Sequence, residues 1–226
     1  MAYQTNIIRI KAVANALKEI KDEVVFIGGA TVSLYADRPA FEIRPTDDID
    51  IIVEILNYAG RAKLEEKLRL LGFSHDVESG IVCRYKIDGI TVDIMPTNDP
   101  SIGFANKWYP DGFSNAIRYD LDERTTIKIL AAPYFLATKI EAFKNRGQND
   151  GRTSHDFEDI VYLLENRETL WEEIRGAKDP LYHYLQNEVK VLLNNAHLPE
   201  WIDSHVERSV SPVTPFIIEK LKAFVS

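Results

Sequence analysis

Two aspartates separated by one residue open a short predicted β-strand. Asp48 and Asp50 alternate with Ile49 and Ile51, and a strand places residues i and i+2 on the same face. The two carboxylates therefore lie side by side, where they repel each other unless a cation sits between them. Hard oxygen ligands of this kind suit Mg²⁺. The pattern predicts a divalent metal site at the start of this strand.

A predicted β-hairpin supplies a third carboxylate. The segments 81–87 and 90–95 alternate around Asp88-Gly89, a dipeptide that favours a two-residue hairpin turn. Asp93 lies in the second strand, on the face opposite the apolar residues of that strand. If this strand pairs beside the first two aspartates, three carboxylates converge, which is the geometry of two-metal phosphoryl or nucleotidyl transfer.

A glycine turn precedes these strands. Gly28 and Gly29 follow the apolar strand Val24–Ile27 and open a short helix predicted over 30–36. A glycine turn at the start of a helix presents free backbone N–H groups to an anion, which predicts phosphate binding. A phosphate site together with a divalent metal site indicates nucleotide chemistry.

Two polar residues between the turn and the aspartates allow two interpretations. Arg44 either holds a phosphate or orients an aspartate, while Thr46 bonds the loop. Alternatively, both residues only fix the turn that enters the strand. Asp47 points to the face opposite Asp48 and Asp50, and it is interpreted as a loop or capping residue.

Further downstream, charged residues lie on two predicted helices. Lys139 and Arg146 are seven residues apart on one face of the first helix. Lys139 either extends along the neighbouring apolar stripe or reaches a triphosphate. Asp156 and Asp159 open the helix predicted over 154–166, where acidic residues also complement the helix dipole.

The composition is that of an ordinary globular protein, with 226 residues of which 45% are hydrophobic and 27% charged. The net charge of −8 argues against a general nucleic-acid binder but allows a local basic groove. Eight cations in the middle of the chain are candidates for such a groove: Lys107, Arg118, Arg124, Lys128, Lys139, Lys144, Arg146 and Arg152. No apolar run suits a membrane helix, no secretory signal is evident, and the single cysteine favours the cytoplasm.

The order of elements predicts an α+β fold, in which a mixed-sheet core is followed by a helical C-terminal half. Strand signals lie at 24–27, 49–55, 81–87, 90–95, 117–121 and 125–130. Helix signals lie at 6–21, 30–36, 58–71, 133–145, 154–166, 181–195, 199–208 and 215–224. Loops are predicted over 37–47 and 97–115, and Asn57 is the predicted cap of the helix over 58–71.

The chain resembles the polymerase-beta-like nucleotidyltransferase superfamily in three motifs: Gly28-Gly29, Asp48-Ile49-Asp50 and Val92-Asp93-Ile94. It is similar to the AbiEii type, which includes toxins of bacterial toxin–antitoxin and abortive-infection systems. That similarity covers residues 24–165 and adds these positions: Arg44, Thr46, Lys139, Arg146, Asp156 and Asp159. Many superfamily members have Gly-Ser in place of Gly28-Gly29, so the serine hydroxyl on the phosphate is missing unless Thr31 or Ser33 replaces it.

The resemblance implies a nucleotidyltransferase catalytic core over 1–131 and a helical domain over 132–226 that completes the active-site cleft. Such an enzyme moves an NMP unit from an NTP to an acceptor, with Mg²⁺, or Mn²⁺ in its place, as cofactor. The implied catalytic residues are Asp48, Asp50, Asp93 and Lys139, of which the three aspartates bind the metal. The implied nucleotide-binding residues are Gly28, Gly29, Arg44, Thr46, Arg146 and Asp156.

The acceptor implied by the resemblance is RNA, at a tRNA 3′ end. The implied role is that of a toxin whose partner is a separately encoded antitoxin protein, with no membrane involvement. Two alternatives stay open. One is modification of a small molecule such as an antibiotic, which suits the acidic charge better. The other is an inactive nucleotide-binding module, against which the three intact carboxylates count.

Overall fold

The computed structural model describes residues 2–37, 44–55, 58–98, 106–148, 150–206 and 213–226. The chain divides into two compact units, the first formed by Met1–Ser33 and Ile43–Ala131, the second by Leu34–Glu42 and Ala132–Ser226. The first unit contains a mixed sheet and the second is helical, which confirms the α+β class with a helical C-terminal half. The segment Leu34–Glu42 groups with the second unit, and the domain bounds 1–131 and 132–226 stay a prediction. The predicted loops over 37–47 and 97–115 lie partly outside the described residues, and the predicted cap Asn57 lies wholly outside them.

The first unit is built on one sheet. Its described strands are β1 (Val24–Ile27), β2 (Asp48–Val53), β3 (Ser74–His75), β4 (Arg84–Ile87), β5 (Ile90–Pro96), β6 (Ile117–Asp120) and β7 (Thr126–Ile129). They are arranged in the order β3-β4-β5-β2-β1-β7-β6. β2 pairs antiparallel with β1 and parallel with β5. The two strands that carry the candidate carboxylates are therefore neighbours in the middle of the sheet.

The predicted hairpin positions the third carboxylate. Asp88 and Gly89 adopt φ values of 49° and 78°, as a two-residue turn of this kind requires. The turn fixes the register of β4 against β5, in which Arg84 pairs with Asp93. β5 then runs beside β2 with Asp50 opposite Asp93. β4 begins later than the sequence predicted.

Helices α1 (Ala2–Leu17), α2 (Tyr58–Leu70) and α3 (Tyr109–Ser114) complete the first unit. α1 ends earlier than predicted and continues as a 3-10 turn. A second 3-10 turn, Gly29–Tyr35, replaces the predicted short α-helix, and α3 lies in a segment predicted as loop. The core contains the fully buried side chains of Phe26, Ile49 and Val92, which lie on the central strands.

The second unit contains α4 (Ala132–Arg146), α5 (His155–Asn166), α6 (Leu170–Arg175), α7 (Leu181–Leu193), α8 (Leu198–Asp203) and α9 (Val213–Val225). Ser154 caps α5 by accepting a hydrogen bond from the Phe157 N–H, as predicted from a serine at this position. The short helix α6 was not predicted. Among the described residues, no helix has the length and apolar character needed to cross a membrane.

Candidate active site

The three predicted carboxylates converge on one face of the sheet. Asp48, Asp50 and Asp93 each offer an oxygen, and these atoms all lie within 4.8 Å of one another. The parallel pairing of β2 and β5 sets Asp50 directly opposite Asp93, and Asp48 lies two residues earlier on the same face. Strand alternation therefore predicted the convergence. The role of these residues as metal ligands stays a prediction.

Arg84, on the neighbouring strand β4, binds two of these carboxylates. Its Nε and Nη2 donate to the two oxygens of Asp93 at 2.8 Å each, and Nη2 also lies 3.3 Å from Asp48 Oδ2. Bidentate, charge-assisted pairs of this kind are strong, and the hydrogen bonds to Asp93 raise the pKa of Arg84. Arg84 was not among the site residues predicted from the sequence. The signal was present, because a two-residue turn at Asp88-Gly89 places Arg84 opposite Asp93.

The ionised form of Asp48 is disfavoured despite this cation. Burial raises the pKa of Asp48, the negative charge of Asp93 raises it further, and Arg84 lowers it only in part. Burial and the nearby Asp93 also raise the pKa of the Cys83 thiol to about 11. The thiol is therefore protonated at neutral pH in the metal-free protein, which makes Cys83 a poor nucleophile.

The donor set fits a divalent cation. Three carboxylates provide the hard oxygen ligands that Mg²⁺ and Mn²⁺ prefer. The site is also shaped around Asp50, because a Cβ on Gly28 would lie 2.0 Å from Asp50 Oδ2. Gly28 has a φ of 76°, a conformation that favours glycine. The first glycine of the turn thus leaves room for a carboxylate.

The turn after β1 is closed by its own hydrogen bonds. The Thr31 N–H and hydroxyl donate to the Gly28 carbonyl at 3.2 and 2.9 Å. Thr31 is fully buried, so its hydroxyl is not available to a phosphate in the way expected of the serine in a Gly-Ser motif. Ser33 is also buried, and within the described ranges its Oγ has no hydrogen-bond partner.

Arg44 and Thr46 lie against this turn. A Cβ on Gly29 would lie 2.4 Å from Arg44 Nη2, so the second glycine leaves room for the guanidinium. The N–H and hydroxyl of Thr46 donate to Asn6 Oδ1 at 3.2 and 3.3 Å, and Asn6 Nδ2 donates to the Arg44 carbonyl at 3.3 Å. Asn6 is a buried residue of α1 that was not predicted from the sequence to take part in the site. These contacts favour the interpretation in which Thr46 fixes the chain that enters β2.

The other predicted residues come together within the helical unit. Lys139 Nζ lies 2.6 Å from Asp159 Oδ2 and 3.4 Å from Asp156 Oδ1. Arg146 donates through Nε and Nη2 to Asp156 at 2.7 and 2.8 Å. Burial alone raises the pKa of Asp156, but the hydrogen bond from Arg146 and the charge of Lys139 lower it below its ordinary value. Lys139, Asp156 and Asp159 are only 6%, 4% and 2% exposed.

Several candidates for a basic groove are paired with carboxylates of the same unit. Besides Lys139 and Arg146, Lys144 lies 2.6 Å from Glu188, and Arg152 lies 2.8 Å from Asp150. The positive charge that the sequence placed on the helical side is therefore largely balanced locally.

Comparison with known proteins identifies the fold. No family model matches the chain, and no curated protein matches its sequence. An antigenic nucleotidyltransferase-like protein from Paracoccidioides brasiliensis is 16% identical with a TM-score of 0.54, covering 92% of this chain and 96% of that one. The antibiotic-resistance factor ANT(2'')-Ia is 15% identical with a TM-score of 0.52, covering 85% of this chain and 96% of that one. The chain therefore has a nucleotidyltransferase-like fold.

Proposed function

We propose that this protein is a metal-dependent nucleotidyltransferase that moves an NMP unit from an NTP to an acceptor. One observation carries the proposal: β2 and β5 place three carboxylate oxygens within 4.8 Å of one another, beside a glycine turn of the kind that binds phosphate. The nucleotidyltransferase-like fold supports this assignment.

The residues of the sheet have distinct roles in this proposal. Asp48, Asp50 and Asp93 hold Mg²⁺ or Mn²⁺, which when bound supplies Lewis-acid stabilisation of phosphate charge. Backbone N–H groups of Gly28 and Gly29 bind a phosphate of the NTP, next to Arg44. Asp93 accepts the proton of the acceptor hydroxyl. The hydroxyl oxygen then forms a bond to the α-phosphorus of the NTP. The bond from that phosphorus to the bridging oxygen breaks, and pyrophosphate leaves.

The AbiEii resemblance supports a contribution of the helical unit to nucleotide binding. Lys139 and Arg146 are proposed to neutralise the triphosphate, with Asp156 between them. The side chain of Arg146 is 63% exposed, whereas that of Lys139 is 8% exposed. We therefore propose direct contact with the triphosphate for the exposed Arg146, and for the buried Lys139 a role in holding Asp159 and Asp156.

The same resemblance supports RNA as the acceptor. We propose a tRNA 3′ end as the site of transfer, a toxin role in the cytoplasm, and an antitoxin protein as partner. A small-molecule acceptor is the second candidate, because the cations of the helical unit are paired with carboxylates and leave little positive charge for an RNA path. ANT(2'')-Ia, which has a similar fold, is itself an antibiotic-resistance factor. The three intact carboxylates count against an inactive module.

A labelling assay separates these acceptors. Purified protein is incubated with each α-labelled NTP and Mg²⁺, together with either total RNA or a panel of small amino alcohols. Label in RNA that declines steeply with added salt supports the polynucleotide acceptor, whereas label only in a small molecule supports the second candidate. Omission of the divalent cation is the control and abolishes transfer. No label from any NTP in either acceptor set would contradict the proposed activity.

A further inference from the structure

β6 forms one edge of the sheet. In the described part of the chain the strand order ends at β7-β6, so β6 has a neighbouring strand on one side. The Leu121 N–H donates to the Thr125 carbonyl at 2.8 Å, which directs the backbone groups of Leu121 towards β7. Because these directions alternate along an antiparallel strand, the N–H and C=O groups of Arg118 and Asp120 point away from β7. They form a row of donors and acceptors along the edge.

The opposite edge of the sheet is less suited to pairing. β3 contains two residues, Ser74–His75, and short edge strands limit pairing with other chains. β6 contains four residues, Ile117–Asp120, and none of them is a lysine or proline of the kind that often protects an edge. Ile117 is 39% exposed. β6 is therefore the more open of the two edges.

The charges on β6 are not balanced by charges of the same chain. Arg118 lies directly opposite Lys128 of β7, and like charges in this position repel each other. Lys128 Nζ donates to the Asp22 carbonyl at 2.7 Å, an acceptor without net charge. Among the described residues no carboxylate pairs with Arg118, while Asp120 accepts a hydrogen bond from the Thr126 hydroxyl. A carboxylate from another chain can balance Arg118, and a cation can balance Asp120.

We propose that two copies of this chain associate through β6, with the two edges paired antiparallel about a two-fold axis at Tyr119. This register sets Arg118 of each copy opposite Asp120 of the other, so each charge meets its opposite. Residues whose backbone groups point outward must lie opposite each other in such a pair. The alternative registers within β6 set Arg118 or Asp120 opposite its own copy, where like charges repel. The charges therefore select one register.

The resulting interface is small. Each Arg118–Asp120 pair exchanges both backbone hydrogen bonds and adds one charge pair, over a strand of four residues. We therefore expect a reversible dimer with a micromolar Kd. A two-fold axis normal to the sheet keeps the carboxylate sites of both copies on the same face of one continuous sheet. The inference is independent of the proposed transfer reaction, because no residue of the carboxylate site takes part.

Sedimentation velocity of the full chain over a range of concentrations measures this association. The unmodified protein should change from monomer to dimer as its concentration rises. Arg118→Glu sets carboxylates opposite each other at both pairs and should weaken association at least about tenfold. Asp120→Arg sets cations opposite each other and should have an effect of similar size. A monomer at every concentration for the unmodified protein, or an unchanged Kd in either variant, overturns the proposal.

The two variants should restore each other's association. In an equal mixture of Arg118→Glu and Asp120→Arg, opposite charges meet at both pairs, and the same is true of the double variant with its own copy. Both should associate within about threefold of the unmodified protein. Since association regained in this way requires folded chains, it also separates the charge effect from misfolding. Failure of both the mixture and the double variant to associate overturns the proposed register.

Lys63→Glu is the matched control for net charge. Lys63 is exposed on α2, and its reversal changes the charge of the chain by the same amount as Arg118→Glu. It should leave the Kd within about twofold, because charges far apart at the surface are screened. A loss equal to that of Arg118→Glu would show a general charge effect and overturn the inference.

Amide hydrogen exchange locates the interface. The N–H groups of Arg118 and Asp120 should exchange more slowly in concentrated than in dilute protein, because pairing with the other copy protects them. The Leu121 N–H is already bonded within the hairpin and should change little. A dimer in which Arg118 and Asp120 gain no protection associates through another surface, and this result contradicts the proposal.

Discussion

Gly28 and Asp50 form one structural unit, because a Cβ on the glycine would lie 2.0 Å from the Oδ2 of the aspartate. Their contact follows from the antiparallel pairing of β1 with β2, which sets Ile27 opposite Asp50. The next residue, Gly28, then turns across that carboxylate. The glycine turn and the aspartate pair are therefore in direct contact. Glycine is required at position 28 to leave room for Asp50, independently of any phosphate binding.

Replacement of Gly28 tests this link. Gly28→Ala should lower Mn²⁺ affinity at least about tenfold, because the added methyl group displaces a carboxylate that takes part in the site. The free energy of unfolding should fall by more than the roughly 1–2 kcal/mol that a left-handed backbone conformation alone costs alanine. Metal titration and denaturant unfolding measure the two effects.

Gly80→Ala is the control for backbone strain. Gly80 has a similar φ of 69°, but a Cβ there would meet nothing within 4 Å. This variant should lose roughly 1–2 kcal/mol of stability and no metal affinity. If Gly28→Ala behaves in the same way, the contact with Asp50 has no influence on the site.

The second glycine should act through Arg44. A Cβ on Gly29 would meet Arg44 Nη2 at 2.4 Å, and this is the movable end of a long side chain. Gly29→Ala should therefore displace the guanidinium and raise the KM for NTP. In an Arg44→Gln background the same substitution should have little further effect, which a double-mutant cycle on KM measures. Additive effects would indicate that Gly29 meets the phosphate independently of Arg44.

Lys139 should be important for stability. It is 6% exposed and lies near two buried aspartates, so Lys139→Met leaves buried negative charge without its partner. We expect a loss of about 3–5 kcal/mol in the free energy of unfolding. Adding Asp159→Asn should restore much of that loss, and Lys144→Met, at a more exposed pair, should lose less than about 1 kcal/mol. A loss below about 1 kcal/mol for Lys139→Met contradicts this structural role.

A KM for NTP that stays raised in the stabilised double variant would support direct contact with the triphosphate.

The pH dependence of stability should reflect Asp156. Its pKa in the folded protein is lowered, so the folded state favours the ionised form. The resulting stabilisation is present above about pH 4, the ordinary value in the unfolded chain, and is lost as the pH falls through the lowered value. Asp156→Asn should remove this acid-dependent part from the unfolding curve. An unchanged pH dependence in this variant would show that Asp156 is not the group responsible.

Local patterns predicted most of the longer helices and strands, whereas contacts between distant segments came only from the structure. The faces of Asp48 and Asp50 follow from strand alternation alone. The pairing of Asp50 with Asp93 requires β5 to lie parallel beside β2, a long-range arrangement that no local pattern encodes. Arg84 was within reach of sequence reasoning, because the hairpin turn fixes its register. Asn6 was not, since nothing in α1 indicates that it binds Thr46.

The domain boundary shows the same limit. Leu34–Glu42 precedes the change from strand to helix signals in the sequence, but it groups with the helical unit. Tyr35 packs against Phe135 with ring centroids 4.5 Å apart, and Asp37 N–H donates to the Asn166 carbonyl. These contacts join segments far apart in the chain, so sequence patterns alone give no sign of them.

The central claim is tested most directly by the rate of NMP transfer from an α-labelled NTP in the presence of Mg²⁺, measured for Asp50→Asn and Asp47→Asn. Asp47 is exposed and adjacent to the site residues, so its variant controls for the loss of one charge. The account predicts that Asp50→Asn loses at least about a hundredfold in rate while remaining folded, and that Asp47→Asn retains the rate of the unmodified protein. Full activity of Asp50→Asn, or an equal loss in both variants, would contradict it.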